Sequence, residues 1–388
     1  MKRRSRVAIT VAGMAVSIGL VLSLIFLGAA SEGPLSALLG QVGTAVSSLE
    51  SRAVRALRGP GRAAELAWLE RLRSHPDSLR HPDTLLLGAY DDRIPTTLEG
   101  IIEVERALEV TFPLIQIYTA WGDEPDHAFP ERMVEAIDQL ASIPLVTWEP
   151  WLATFENRLH PHLPLRNDRD RDGLASIARG DYDFYLDEWA QEAARFGKPM
   201  LVRLAHEMND PYRYPWGPQN NEPRHFIAAW RHVADRFRAA GATNVLWVWS
   251  PHVAYPESEA YWPGDDYVDW VATGGLNYGT VAYWSQWWSF QDIFGQHYDF
   301  LAGFGKPIMV AEFGSLAIGG DRAAWYRDAL TDLRTRFPEV HALLFFHMRG
   351  DASVTRQALD WSFLDNPAVV EAIREGLGGS SPPPDSIR

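Results

Sequence analysis

Pro199-Met-Leu-Val-Arg-Leu-Ala-His-Glu207-Met-Asn209 is the stretch on which the fold turns. A short apolar run reads as a buried parallel strand, and it delivers a glutamate at its carboxyl end. The same grammar recurs in Pro307-Ile-Met-Val-Ala-Glu312-Phe-Gly-Ser315. A carboxylate in that position is costly to desolvate and adds nothing to a core, so it belongs to a site.

Outward from these two segments, short apolar strands alternate with amphipathic helices, the pattern of a parallel sheet wrapped by helices. The strands read as Thr84–Tyr90, Leu114–Trp121, Pro144–Trp151, Met200–Glu207, Asn244–Pro251, Trp270–Tyr278, Ile308–Gly314 and Ala342–Met348. Helices are expected at Thr96–Leu108, Arg132–Ser142, Tyr182–Phe196, Pro223–Ala240, Phe290–Phe304 and Asp321–Phe337, with Asn366–Leu377 after the last strand. Eight β/α units over residues 80–377 fit one α/β TIM barrel, (β/α)8, whose site lies on the loops after the strands. An open doubly wound sheet fits less well, because Gly88-Ala-Tyr-Asp-Asp92 after the first strand lacks the spacing of a phosphate-binding loop.

The strand ends supply the site candidates. They are Trp148, Glu149 and Trp151 after the third strand, His206, Glu207 and Asn209 after the fourth, Trp249 at the fifth, Tyr278 at the sixth and Glu312 at the seventh. Tyr212, Trp216, Trp284 and Trp361 lie on the loops that follow. Polar and aromatic residues thus gather at one end of the barrel, which packing alone does not explain. Paired carboxyl groups at that end suggest glycoside hydrolysis.

Composition agrees with a sugar polymer as partner. Among 388 residues the net charge is −14 and the pI about 5.3, which disfavours nucleic acid and anionic lipid. Sixteen Trp and thirteen Tyr offer faces that stack on sugar rings and edges that donate hydrogen bonds. The absence of Cys excludes disulfides, zinc-thiolate sites and thiol nucleophiles. Asp168-Arg-Asp170-Arg-Asp172-Gly173 opens like a calcium loop, but its twelfth position is Arg179, so it reads as an exposed turn. No metal or cofactor is called for, and nothing asks for a second copy of the chain, so a monomer is expected.

The termini bear on compartment. Lys2, Arg3, Arg4 and Arg6 precede an uncharged apolar stretch, Val7–Ala30. It exceeds the ~7–15 residues of a cleavable signal core and reaches the ~20 needed to span a bilayer. A signal anchor within residues 1–30 is expected, with the positive flank cytoplasmic and the body outside the cytoplasm; cleavage after Gly28-Ala-Ala30 would instead make it a signal peptide. Residues 31–79 read as a helical stalk or linker interrupted by Gly59-Pro-Gly61, and 378–388 as a disordered tail.

From Gly88-Ala-Tyr to Trp361-Ser-Phe-Leu-Asp the chain resembles glycoside hydrolase family 26, the group that includes β-mannanases. The resemblance rests on Gly180-Asp-Tyr-Asp-Phe-Tyr, Arg203-Leu-Ala-His-Glu-Met-Asn209 and Tyr214-Pro-Trp-Gly217, then on Tyr298-Asp-Phe-Leu and Gly305-Lys-Pro-Ile-Met-Val-Ala-Glu-Phe-Gly314. It implies hydrolysis of a β-1,4-linked polysaccharide with retention of configuration. Glu207 would be the acid/base, Glu312 the nucleophile, and the Tyr278 hydroxyl the group that holds the nucleophile. The family usually carries Gly and Trp where this chain has Asp210 and Tyr212, which alters a wall beside the cleaved sugar. Mannan is expected first, with mixed-linkage β-glucan or xylan as alternatives. Such chemistry needs one carboxyl neutral and one charged, about 5–5.5 Å apart. The remaining alternative is a barrel that binds exported polysaccharide without cutting it.

Overall fold

The computed structural model describes residues 61–378 apart from Arg356. The Val7–Ala30 segment, residues 31–60 and the tail from 379 lie outside the described residues.

Eight parallel strands close into a barrel in sequential order, β1 pairing with both β2 and β8. They are β1 Leu86–Asp91, β2 Leu114–Ala120, β3 Ile143–Glu149, β4 Met200–Leu204, β5 Val245–Trp249, β6 Trp270–Asn277, β7 Ile308–Ser315 and β8 Val340–His347. The helices are α1 Glu70–Ser74, α2 Glu99–Leu108, α3 Glu131–Gln139, α4 Gly173–Ala178, α5 Asp183–Phe196, α6 Pro223–Ala239, α7 Phe290–Ala302, α8 Arg322–Arg336 and α9 Pro367–Leu377. The link from β5 to β6 carries only short 3-10 turns, Ser258–Tyr261 and Asp265–Tyr267.

Strand alternation sorts the side chains into two shells. Leu145, Leu201, Leu246, Met309 and Leu344 point into the barrel, while Val146, Val202, Trp247, Val310 and Phe345 face the helices. Above the apolar interior layer lies a polar one. Thr147 Oγ1 accepts from Gln116 Nε2 and from Arg203 Nε, both at 3.0 Å. These buried groups sit between core and mouth, so the inward positions turn polar only toward the carboxyl ends of the strands.

The opposite end is closed by residues 61–80. Leu66, Leu69, Leu72 and Leu79 join the interior cluster, and Trp270 donates its indole N–H to the Leu79 carbonyl at 2.8 Å. Arg62 pairs with buried Glu105 and donates to Leu140 O at 3.0 Å and Ser142 Oγ at 2.6 Å. The described part of the stretch expected as a stalk is therefore packed under the barrel, because its leucines cover apolar ends that water would otherwise meet.

Candidate active site

Glu207 lies on the turn after β4 rather than on the strand, which ends at Leu204. Ala205 and Glu207 adopt left-handed backbone angles, φ 42° and 54°, a conformation unfavourable for non-glycine residues and concentrated at functional sites. The Glu207 N–H donates to Ser250 O at 2.7 Å, which fixes the turn to the neighbouring strand end. Its Oε2 accepts from Arg213 Nη1 at 3.1 Å.

Glu312 reaches the cleft through a bulge. In β7, Met309 and Ala311 belong to the interior cluster, while Val310 and Phe313 pack outward. Against β6, Val310 pairs with Thr273 and Glu312 with Gly274; against β8, Val310 pairs with Leu343 and Phe313 with Phe345. One extra residue is thereby accommodated in β7, and Ala311 and Glu312 both face inward. The Glu312 Oε1 atom accepts from Arg203 Nη2 at 2.6 Å and from the Tyr118 hydroxyl at 2.7 Å. Burial pushes this carboxyl up, but the charge and hydrogen bond of Arg203, the Tyr118 hydroxyl and the charge of Arg213 outweigh it and hold it below the usual range. Tyr118 itself is pushed well above the ordinary tyrosine value, first by burial and then by the Glu312 charge, so it remains a donor.

The cleft wall between them is built from Glu149, Trp151, His206 and Tyr214, with Trp216 packed behind it. Trp151 Nε1 donates to Glu149 Oε2 at 3.0 Å, His206 Nε2 lies 3.0 Å from the Tyr214 hydroxyl, and Trp216 Nε1 donates to His206 O at 2.8 Å. Tyr214 and Trp216 stack with centroids 4.6 Å apart. Burial, with Arg203 and Arg213 adding to it, drives His206 well below the ordinary histidine value, so the imidazole is neutral. Trp284 and Tyr212 are exposed at the rim; Tyr212 lies 5.9 Å from Tyr255, and Trp284 sits edge-on to Tyr278 at 5.5 Å.

Several expected sugar contacts are corrected. Trp148 and Trp249 point away from the cleft: Trp148 stacks on Trp189 of α5 at 4.4 Å, and Trp249 donates to Tyr261 O at 3.2 Å. Glu149 faces inward, so alternation forces Trp148 outward. Asn209 spends its amide on the β5–β6 link, donating to His252 O, Tyr255 O and Ser258 Oγ and accepting from His252 N. It braces a loop and has little capacity left for substrate. Trp216 and Trp361 are buried and support the wall from behind; Trp361 donates to Asp351 Oδ2 at 2.9 Å and meets the Tyr278 ring edge-on at 5.0 Å. Among the described residues no hydrogen bond joins Tyr278 to Glu312; Arg203 and Tyr118 do that work. Tyr118, Arg203 and Arg213 were missed, although strand parity with Leu114 and Leu201 marks the first two as inward-facing.

Glu207, Asp210 and His252 bring ligand atoms within 4.8 Å of one another. The Arg213 guanidinium on Glu207 opposes a cation there, and the grouping does not fit a metal centre.

The family model described as Glycosyl hydrolase family 26 matches residues 179–325, which include both glutamates. This segment belongs to glycosyl hydrolase family 26. Endoglucanase H of Acetivibrio thermocellus is 34% identical over 268 residues, covering 67% of this chain and 27% of the relative. Mannan endo-1,4-beta-mannosidase A and B of Caldalkalibacillus mannanilyticus is 26% identical over 238 residues, 59% of this chain and 41% of the relative. The chain thus spans well under half the length of these two relatives. A GH26 beta-mannanase from Bacteroides ovatus superposes with TM-score 0.55 at 17% identity over 78% of this chain and 91% of that one. The catalytic domain of a Bacillus sp. JAMB-750 GH26 endo-beta-1,4-mannanase gives 0.58 at 15% identity over 78% and 87%. These two likenesses concern the fold, and they agree with the barrel described above.

Proposed function

We propose that the protein is a retaining endo-β-glycanase acting on a β-1,4-linked polysaccharide. The observation that carries this reading is Glu312 held as an anion by Arg203 and Tyr118 at the barrel mouth, with Glu207 on the strained turn after β4. Glu312 attacks the anomeric carbon and forms a glycosyl ester as Glu207 protonates the departing oxygen. Glu207 then takes a proton from water, which attacks the same carbon and releases Glu312. The neutral His206 and the Trp151 ring shape the wall along which the sugars lie.

Mannan is the backbone that the family resemblance puts first. A glucan backbone is the second reading, and it is favoured by the higher identity of the relative named Endoglucanase H and the larger share of this chain that it matches. Scoring reducing ends released from mannan, mixed-linkage β-glucan and xylan orders the substrates. Release from none of them would leave the non-cutting barrel as the better account.

The two glutamates are separated by rescue. Glu312→Ala abolishes turnover of every substrate, and azide restores cleavage with inversion. Glu207→Ala loses polysaccharide cleavage yet still glycosylates Glu312 from an activated aryl glycoside, and azide relieves the stalled ester. A mass label on another carboxylate of the Glu207→Ala protein would refute the assignment.

Export through Val7–Ala30 as a membrane anchor is proposed on its length and positive flank. Among the described residues no helix is long and apolar enough to cross a membrane. Recovery of the protein in a soluble extracytoplasmic fraction beginning near Ser31 would replace the anchor with a cleaved signal.

A further inference from the structure

Glu149 is a third carboxyl group in the cleft, and neither step of the double displacement uses it. It ends β3 on the inward side, with its side chain 17% exposed. Trp151 Nε1, which can only donate, occupies Oε2 at 3.0 Å. Oε1 has no hydrogen-bond partner among the described residues; His206 Nε2, the nearest ion-pair candidate, is 3.9 Å away. That imidazole is already engaged by the Tyr214 hydroxyl.

A carboxylate offers about four lone-pair positions and needs donors for them, yet this one receives a single N–H. Arg203, the nearest cation on the neighbouring strand, is committed to Glu312, Tyr118 and Thr147. Arg213 is committed to Glu207 and Ser353. Glu312 adds a second negative charge from β7, and Tyr90 of β1 is a further neighbour that stays protonated. The donor supply suits a neutral acid far better than an anion. Because Oε2 must accept from Trp151, the acid proton sits on Oε1, where it points to a partner that the protein does not provide.

We infer that Glu149 is a substrate-binding acid whose neutral Oε1–H donates a hydrogen bond to an oxygen of the sugar seated beside Trp151, so that binding weakens as the solution becomes alkaline. The inference deepens the glycanase reading and rests on it for the identity of the ligand as a sugar. Burial pushes the Glu149 carboxyl up to about 7, with the Trp151 N–H and the Arg203 charge offsetting part of the rise and Glu312 adding to it. Below that pH the donor is present; above it the group becomes an anion that can no longer donate.

The test is a comparison of Glu149→Gln and Glu149→Ala with the wild type at pH 5.5 and 8.5. The wild-type KM for mannan or mixed-linkage glucan should rise roughly tenfold across this interval, with a smaller change in kcat. Glu149→Ala should carry a KM raised roughly tenfold at both pH values. Glu149→Gln, whose amide oxygen can accept from Trp151 while its NH2 donates into the cleft, should recover most of that loss and show no alkaline rise in KM. Loss of binding in Glu149→Gln at both pH values, or a wild-type KM unchanged by pH, would overturn the inference. Tryptophan fluorescence titrations with mannohexaose and cellohexaose separate this outcome from failure of the glycanase reading. A wild type that binds with the stated pH dependence but cuts nothing refutes catalysis and keeps the Glu149 role, whereas no binding of either oligosaccharide refutes both.

Discussion

Glu312 shows how far a single residue depends on its neighbours. Burial pushes this carboxyl toward its neutral form, and the proposed attack needs it charged. Arg203 and Tyr118 supply that charge state, and each also fixes the direction of the attacking oxygen. Tyr118→Phe removes the hydrogen bond donated to Glu312 and the one accepted from Arg203, and leaves the ring. Because the carboxyl is held below its usual range, the anion persists into acid; without the hydroxyl it is protonated at higher pH. The acid limb of kcat/KM should therefore move upward by about one pH unit, with the loss greatest on the acid side of the limb, where it approaches about tenfold, and small at pH 7. A pH–rate profile checks this, and an unmoved acid limb would remove Tyr118 from the role.

At the scale of the element, strand parity decides which aromatic residues reach the cleft. Trp148 and Trp151 are three positions apart, yet Trp148 faces α5 while Trp151 stands at the cleft, because β3 ends at Glu149 and alternation stops there. Trp148→Ala should cost about 3–5 kcal/mol of stability and leave KM at 25 °C close to that of the wild type. Trp151→Ala should raise KM and leave the unfolding midpoint little changed. Denaturant unfolding and initial rates on the two variants distinguish them, and the reverse pattern would show the parity argument to be wrong. The β7 bulge is the exception that the site requires, since regular alternation after Ala311 would turn Glu312 toward the helices.

Across the whole molecule, the two ends of the barrel do different work. The mouth gathers polar and strained groups, while the far end is sealed by residues 61–80, in which Arg62 ties the segment to Glu105 and to two loop carbonyls. Arg62→Ala strands a buried carboxylate and should cost about 3–5 kcal/mol, lowering Tm by roughly 10 °C, with kcat/KM at 25 °C unchanged. Arg62→Met with Glu105→Leu should recover most of the loss, because both charges leave together. A calorimetric scan of the two variants measures it, and an unaltered Tm in Arg62→Ala would show that the segment is not held through this pair.

The order of the strands, the helices between them and the two glutamates at strand ends were legible in the chain, because hydrophobic periodicity and strand-end chemistry are local properties. Closure into a barrel followed from eight such units. The partners of Glu312 come from β2 and β4, far apart in sequence, and only closure brings them to one oxygen. The bulge that aims Glu312, the loop-bracing use of Asn209 and the packing of residues 61–80 beneath the barrel were likewise decided by tertiary structure. Each depends on which groups satisfy a buried hydrogen bond or cover an apolar face, and such partners are set by three-dimensional proximity rather than by spacing along the chain.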